Sequence, residues 1–556
     1  MLKDILAKQV SKQGFSEKKV KQLIEVPPSK DLGDFSLPCF ALAKDENPAK
    51  LASTIKKGLA SHKAFEKIET KGPYLNVFFK NSYVAQKILP KINLSFKKTN
   101  NVVCIESPSP NTNKPLHVGH ARNMSIGRSL VKLYEKLGWK TFKTEIVNDR
   151  GIHICKSMVA YDLWGENETP TSTGLKPDHF VGKYYTLFNE KAKENPELED
   201  KAKEFLIKWE AKDEKVRDLW TTMNTWCLKG LRKTYNKYGM DLDKQYFESK
   251  IYEYGREKVI EGAKKGVFDK KEKGIIVNLE QHDLGEKILL RSDGTSLYIT
   301  QDIALAYLRD DEVSMDKMLY VVGQEQKYHF KVLFKVLDLL GFNYSKKAKH
   351  IGYGFVSLPS GKMSSREGNV VLADDLLEKV QAALKKEYEE RNTDISKKEI
   401  ERRSEVLAIA TIKFELLKVD TYKDIVFDIE KSVEFKGDTA PYILYTYARL
   451  QSILSKVKLD NQTDYSLLEE DIEKDLILTL HDFRSVIKDS FNKENPSLLI
   501  NYLLPLTRKI NKYYQDIQIL VKNKEVKKAR TSLVKQSATI LREGLDLLDI
   551  KVLEEM

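Results

Sequence analysis

Val102-Val103-Cys104-Ile105 leads through Glu106-Ser107-Pro108-Ser109-Pro110-Asn111 and Lys114-Pro115-Leu116 into His117-Val118-Gly119-His120, after which apolar residues recur at helical spacing from Met124 to Leu137. The order reads as a buried strand, a turn and the start of a helix. Free N–H groups and the positive end of the helix dipole gather at such a start, which makes it a place where phosphates bind, and Gly119 leaves room for close approach. His117 and His120, three apart, share one side of the turn and can donate hydrogen bonds to phosphoryl oxygens as charge develops. In isolation the same four residues also suit a capped helix with one solvated histidine.

A second stretch tips the reading toward phosphate. Lys362-Met363-Ser364-Ser365 follows Pro359-Ser360-Gly361, so a long cation and small hydroxyls sit beyond a turn, as a loop that closes on a triphosphate requires. Between the two motifs, apolar strand-like runs alternate with helical stretches from Asn101 onward. This predicts a Rossmann-like, doubly wound α/β core with its ligand crevice at the strand ends. It is not a dinucleotide fold: Gly352-Tyr353-Gly354 is followed by Ser357 where a third glycine would stand, and no Walker A spacing occurs.

Working outward, three domains are expected. Residues 1–97 mix helical periodicity with one strand-like run, Pro73 to Phe79, and form a small α+β module. Residues 98–375 hold the core, interrupted at about 156–290 by a Lys/Glu-rich segment with Trp164, Trp209, Trp220 and Trp226, read as a helical insertion. Residues 376–556 are almost wholly helical. Their last part interleaves Tyr442, Tyr445, Tyr447, Tyr513 and Tyr514 with Arg449, Arg508, Lys509 and Lys512, a pattern that can stack on splayed bases while neutralising phosphates. Most of those tyrosines could equally be core.

The 556 residues carry a formal net charge of +13, which favours a polyanionic partner such as nucleic acid, although Lys-rich faces also serve solubility alone. Cys39, Cys104, Cys155 and Cys227 are too far apart for a CxxC or Cys/His ligand set, so no zinc and no metal of the protein's own is expected. The N-terminus lacks the apolar stretch of a signal peptide and no run reaches the length of a membrane span, so a cytoplasmic location is expected.

At its two motifs the chain resembles the class I aminoacyl-tRNA synthetases, whose signatures are HIGH and KMSKS. The flanks, Glu106 to Asn111 with Lys114 to His117, Val147-Asn148-Asp149 and Arg366 to Val371, are similar to the catalytic core of the arginyl-tRNA synthetase family. Gly33 to Lys44 resembles that family's extra N-terminal domain, and Pro441 to Ile453 its all-α anticodon-binding domain. The resemblance implies arginine activation by ATP, carrying Mg²⁺, followed by transfer to tRNA(Arg), with a monomer as the working unit. His117, His120, Lys362 and Ser364 would then act on the phosphates, with Gly119, Gly323, Met363 and Ser365 also at the ATP site.

The same resemblance assigns Glu106, Asn111, Tyr298, Asp302 and Gln326 to arginine. Selecting a guanidinium over an ammonium needs carboxylates that meet its planar fork. Asp302 could otherwise cap the helix beginning near Ile303, Glu106 could be a surface ion pair, and Tyr298 could pack in a strand. Tyr442, Tyr447 and Arg449 would contact tRNA, and the N-terminal domain would meet the outer corner of the tRNA. One departure stands out: Ser365 replaces the second lysine of KMSKS, and Lys114 is expected to supply the missing cation. Two readings besides an arginine ligase stay open, an activator that charges no tRNA and an inert RNA binder.

Overall fold

The computed structural model describes residues 1–43, 45–342, 344–359, 371–391, 395–457 and 463–556. Near the N-terminus β1 (Phe35–Pro38), β2 (Phe65–Lys71) and β3 (Tyr74–Phe79) form an antiparallel sheet in the order β1-β3-β2. Helix Pro48–Leu59 packs on it with Leu51, Ala52, Ile55 and Leu59 buried, the i, i+4 spacing of an amphipathic face. Asp34 holds this module to the helical C-terminal part: it accepts from the Phe79 N–H at 2.7 Å and pairs with Lys474 at 2.7 Å.

The core is a five-stranded, all-parallel sheet of β4 (Val102–Glu106), β5 (Lys140–Val147), β6 (Lys244–Phe247), β10 (Lys317–Gly323) and β11 (Ala348–Tyr353), in the order β11-β10-β4-β5-β6. The chain leaves β4 toward β5 and β6, then crosses back to β10 and β11 on the other side. The direction reverses between β4 and β10, and ligands of such sheets bind beyond the strand ends at that reversal.

The segment expected as one helical insertion over 156–290 is not one. Helices run from Ile152–Trp164 to Glu214–Tyr238, but the sheet's edge strand β6 follows, and then β7 (Asp269–Lys271), β8 (Gly274–Asn278) and β9 (Glu286–Arg291) form a separate antiparallel sheet. β6 is only four residues long with two polar positions, and β7 is fully exposed. High charge density concealed both from a periodicity reading.

Helix Val118–Lys136 is buried along most of its length, between the sheet and the C-terminal helices. Its polar residues are therefore bonded: Arg122 donates to the carbonyls of Gly354 (2.6 Å), Thr421 (3.0 Å) and Asp420 (3.3 Å), and Asn123 to that of Val321 (2.6 Å). Burial lowers the Arg122 pKa to about 10, still far above neutrality. A Cβ on Gly127 would lie 2.5 Å from Ser107 Oγ, so glycine here lets the helix close on the loop after β4. On the outer side Arg128 and Lys413 share Asp549, and Ser129 donates to the Leu547 carbonyl at 2.7 Å. The buried Glu494 carboxylate takes Lys317, Lys349 and Tyr134. The C-terminal helices are thus fastened directly to the helix that carries the first motif.

β12 (Val356–Ser357) and β13 (Ile425–Val426) form a short parallel pair. All four cysteines are buried and free. Among the described residues no helix is long and apolar enough to cross a membrane.

Candidate active site

His117 is the N-cap of the Val118–Lys136 helix. Its Nδ1 accepts from the Gly119 N–H at 3.1 Å, and His120 Nδ1 accepts from the His117 N–H at 3.1 Å, so the two imidazoles form a reciprocal cap with ring centroids 3.9 Å apart. Backbone N–H groups only donate, which fixes both rings with Nδ1 bare and the proton on Nε2. Burial, with the charge of Lys114 adding, lowers the His117 pKa to about 4, and burial holds His120 well below its usual range. Both are neutral donors at pH 7. A Cβ on Gly119 would meet the His117 ring at 2.9 Å, which accounts for glycine between them.

Lys362, Met363, Ser364 and Ser365 lie outside the described residues. The residues that follow them are placed against the first motif: Val118 N–H donates to the Val371 carbonyl (3.0 Å), Ala373 N–H to the Leu116 carbonyl (2.8 Å), and Leu372 bridges to His117. Beside this junction is a cavity of about 320 Å³ lined by Lys114, His117, His179, Lys183, Leu372 and Asp375, among others. The Lys114 ammonium has no hydrogen bond or ion pair among the described residues, and burial lowers its pKa.

The crevice beyond β4 and β5 is rich in buried acids. Glu106 ends β4 and is 4 % exposed; one oxygen pairs with the fully buried Arg309 and the other accepts from Ser109 Oγ at 3.3 Å. Burial raises its pKa, against the pull of Arg309. Tyr298 does not lie in a strand: it opens helix Tyr298–Glu312, and Asp302 is one turn inside that helix rather than its cap. Four residues apart on a helix, the two share a face. Asp302 Oδ2 lies 2.6 Å from His329 Nε2, and its charge acts on both Glu106 and Glu248.

Asn111 and Tyr298 line one cavity of about 640 Å³ together with Asn148, Arg150, Glu248 and Gln301. Thr112 N–H donates to the Asn148 carbonyl at 3.1 Å, so the extension of β5 holds the Asn111 loop. Gly323 ends β10 at the reversal point, and Gln326 stands exposed in the turn that follows. Glu106 and Asp302 are near enough to interact electrostatically, but they, like Gln326, line neither cavity, so of the five residues expected at arginine only Asn111 and Tyr298 are brought together in one cavity.

Glu248 was not anticipated. Burial raises its pKa to about 7, Gln301 donates to it at 2.6 Å, and it faces the cavity that Asn111 and Tyr298 share. Its signal was present: an acid directly after the apolar pair Tyr246-Phe247, at a strand's C-terminal end. Arg309 and His329, which hold Glu106 and Asp302, gave none.

On helix Ala440–Leu454 the three expected tRNA contacts separate. Tyr447 is fully buried, its hydroxyl 3.0 Å from Glu554 Oε1, and it belongs to the core; five positions on from Tyr442, it falls on the opposite helix face. Tyr442 is half-buried. Arg449 sits between exposed Tyr445 and Tyr514, its guanidinium 4.9 Å from each ring centroid, in a cavity of about 690 Å³ that the C-terminal Glu554 and Met556 also line.

Three family models match the chain: tRNA synthetases class I (R), catalytic domain, over residues 84–429; DALR anticodon binding domain over 443–556; and Arginyl tRNA synthetase N terminal domain over 1–79. The arginine–tRNA ligase of Treponema denticola is 40% identical over 557 residues, covering 96% of this chain and 94% of its own. That of Parabacteroides distasonis is 43% identical over 481 residues, covering 82% and 81%. The structure of the Thermus thermophilus arginyl-tRNA synthetase shares the fold, with a TM-score of 0.78 at 24% identity over 100% of this chain and 99% of that one.

Proposed function

The chain belongs to the arginyl-tRNA synthetase family of class I, and on that premise we propose that its two cavities and its C-terminal patch divide the work of an arginine–tRNA ligase. The reaction joins L-arginine to ATP, giving arginyl-adenylate and pyrophosphate, and then passes arginine to the 3′ end of tRNA(Arg). The observation that carries the assignment of parts is the neutral His117–His120 pair at a helix N-terminus, beside an acid-lined crevice at the point where the sheet reverses.

Attack of the arginine carboxylate on the α-phosphorus needs positioning and charge neutralisation more than a covalent nucleophile. The Nε2–H groups of His117 and His120 meet the α-phosphate as charge grows there, and Lys114 adds a cation on the pyrophosphate side. Lys362, Met363, Ser364 and Ser365 belong to the same phosphate site, with Gly119 and Gly323 giving backbone access. Mg²⁺ arrives on the triphosphate, with few ligands from the chain.

For arginine, Asp302 and Glu248 take the guanidinium with Tyr298 beside them, while Glu106, tied to Arg309, contributes its field. Asn111 and Gln326 hold the α-amino and carboxyl end. The four isolated, buried cysteines support a reading without zinc. A monomer acting in the cytoplasm completes it, with residues 1–97 on the tRNA corner, 98–375 catalysing and 376–556 on the anticodon.

Charging of bulk tRNA with radiolabelled arginine, with lysine as control, tests the function; no charging by the intact chain overturns it. The C-terminal patch has its own expected result. Arg449→Ala and Tyr514→Ala each raise the KM for tRNA about tenfold or more, the scale of one base stack, and leave the KM for arginine unchanged. Steady-state charging kinetics check both.

A further inference from the structure

His179 is not used in the mechanism above, yet it lines the His117 cavity. It lies in the first turn of helix Pro177–Glu194, and its Nε2 is 3.3 Å from Asp374 Oδ2, while Nδ1 has no partner among the described residues. Asp374 is a fixed partner. Its side chain is 5% exposed and also takes the Lys176 ammonium at 2.7 Å and the Thr234 hydroxyl at 3.1 Å. The neighbouring Ala373 is held through its N–H to Leu116 (2.8 Å) and its carbonyl to Tyr238 (3.0 Å).

Asp178, His179 and Asp374 bring three potential metal ligands together. Lys176 already lies among them, 2.9 Å from Asp178 and 2.7 Å from Asp374, so the cluster is a carboxylate pair filled by an ammonium. What it leaves open is the far side of the imidazole.

We propose that His179 is a polyphosphate ligand: oriented through Nε2 by Asp374, it donates Nδ1–H to a β- or γ-phosphate oxygen of ATP, a second contact beside the Lys114 ammonium in the same cavity. The proposal rests on the function stated above. An imidazolium braced by a carboxylate makes the charge-assisted hydrogen bond that anions favour.

The surrounding charges agree with it. The hydrogen bond to Asp374 raises the His179 pKa, burial opposes this, Asp178 raises it and Lys176 lowers it. Around the cavity stand Lys114, neutral His117, Asp375 and Lys183, the last paired with Glu168 at 2.7 Å. Because the folded pKa is raised, the ring is charged below that value and its hold on phosphate is lost as pH rises through it.

The test uses the full chain and His179→Gln and His179→Lys variants. ATP binding by calorimetry and ATP–pyrophosphate exchange are measured from pH 6 to 9 with saturating arginine and tRNA. His179→Gln is expected to weaken ATP binding about tenfold at pH 6 and much less at pH 9, with the arginine KM unchanged. His179→Lys restores tight ATP binding and removes the pH dependence. ATP's own titration is common to all three proteins and cancels in the comparison.

The proposal is overturned if His179→Gln binds ATP like wild type at pH 6. It is equally overturned if both variants lose ATP affinity by one factor at every pH, the mark of a packing role. Absence of arginine-dependent exchange in wild type would overturn the ligase function instead, and the calorimetric comparison still decides on His179.

Discussion

Asp302→Asn is expected to lower kcat/KM for arginine by about a thousandfold in ATP–pyrophosphate exchange, the scale of removing one partner from a desolvated ion pair. The two side chains have nearly the same shape, so what is lost is the charge. Asp302 shares a helix face with Tyr298 and lies close enough to Glu106 and Glu248 to act on both. Arg309 already neutralises Glu106, and burial pushes the Glu248 pKa up to about 7, so a guanidinium in this crevice depends on the Asp302 carboxylate.

Its other partner, His329 at 2.6 Å, offers a competing explanation, in which Asp302 serves only to hold that ring. His329→Gln separates the two, because a guanidinium ligand makes Asp302→Asn far the more damaging change. The KM for ATP should move little. Charging of arginine within tenfold of wild type by Asp302→Asn removes this residue from the pocket.

What was legible from the chain followed from how local each signal is. The passage from β4 through the turn to His117 is contiguous, so apolar run, turn and helix start could be read together. The Tyr298–Asp302 spacing was legible as a pair but not as a helix, since the segment's start carries no polar side chain cap that would mark it. Glu106 shows the limit: its partner Arg309 is far along the chain, and nothing local announces a fully buried arginine. Tyr447 failed for a related reason. Its helix is apolar on more than one side, so sequence spacing could not say which tyrosines face solvent. The short strand β6 was lost in charge, and the acid that follows it, Glu248, was lost with it.

The histidine pair gives the second large effect. His120→Ala is expected to slow arginyl-adenylate formation by about 10² to 10³, the usual cost of removing one donor aimed at developing charge, as measured by single-turnover exchange. Because His120 Nδ1 also accepts the His117 N–H, alanine removes a cap as well as a donor. His120→Asn distinguishes the roles. Its carbonyl oxygen can keep the cap, but it has no group at the Nε2 position, so a phosphate role leaves it as slow as alanine and a capping role restores it.

The protonation states carry a further consequence. With folded pKa values of about 4 for His117 and well below normal for His120, neither ring changes charge between pH 6 and 8, and activation should owe no pH dependence to them there. Stability behaves differently. Unfolded histidine binds its proton near pH 6.5 while the folded rings do not, so the contribution of these residues is full above that pH. It is then lost progressively as pH falls toward 4. Thermal unfolding followed from pH 7 to 4.5 should show a steeper acid decline in wild type than in His120→Asn, which has no ring to protonate. A decline of equal slope in both proteins would mean that the His120 ring takes up its proton alike in the folded and the unfolded chain, and the depressed pKa behind the neutral-donor account of the first motif would fall.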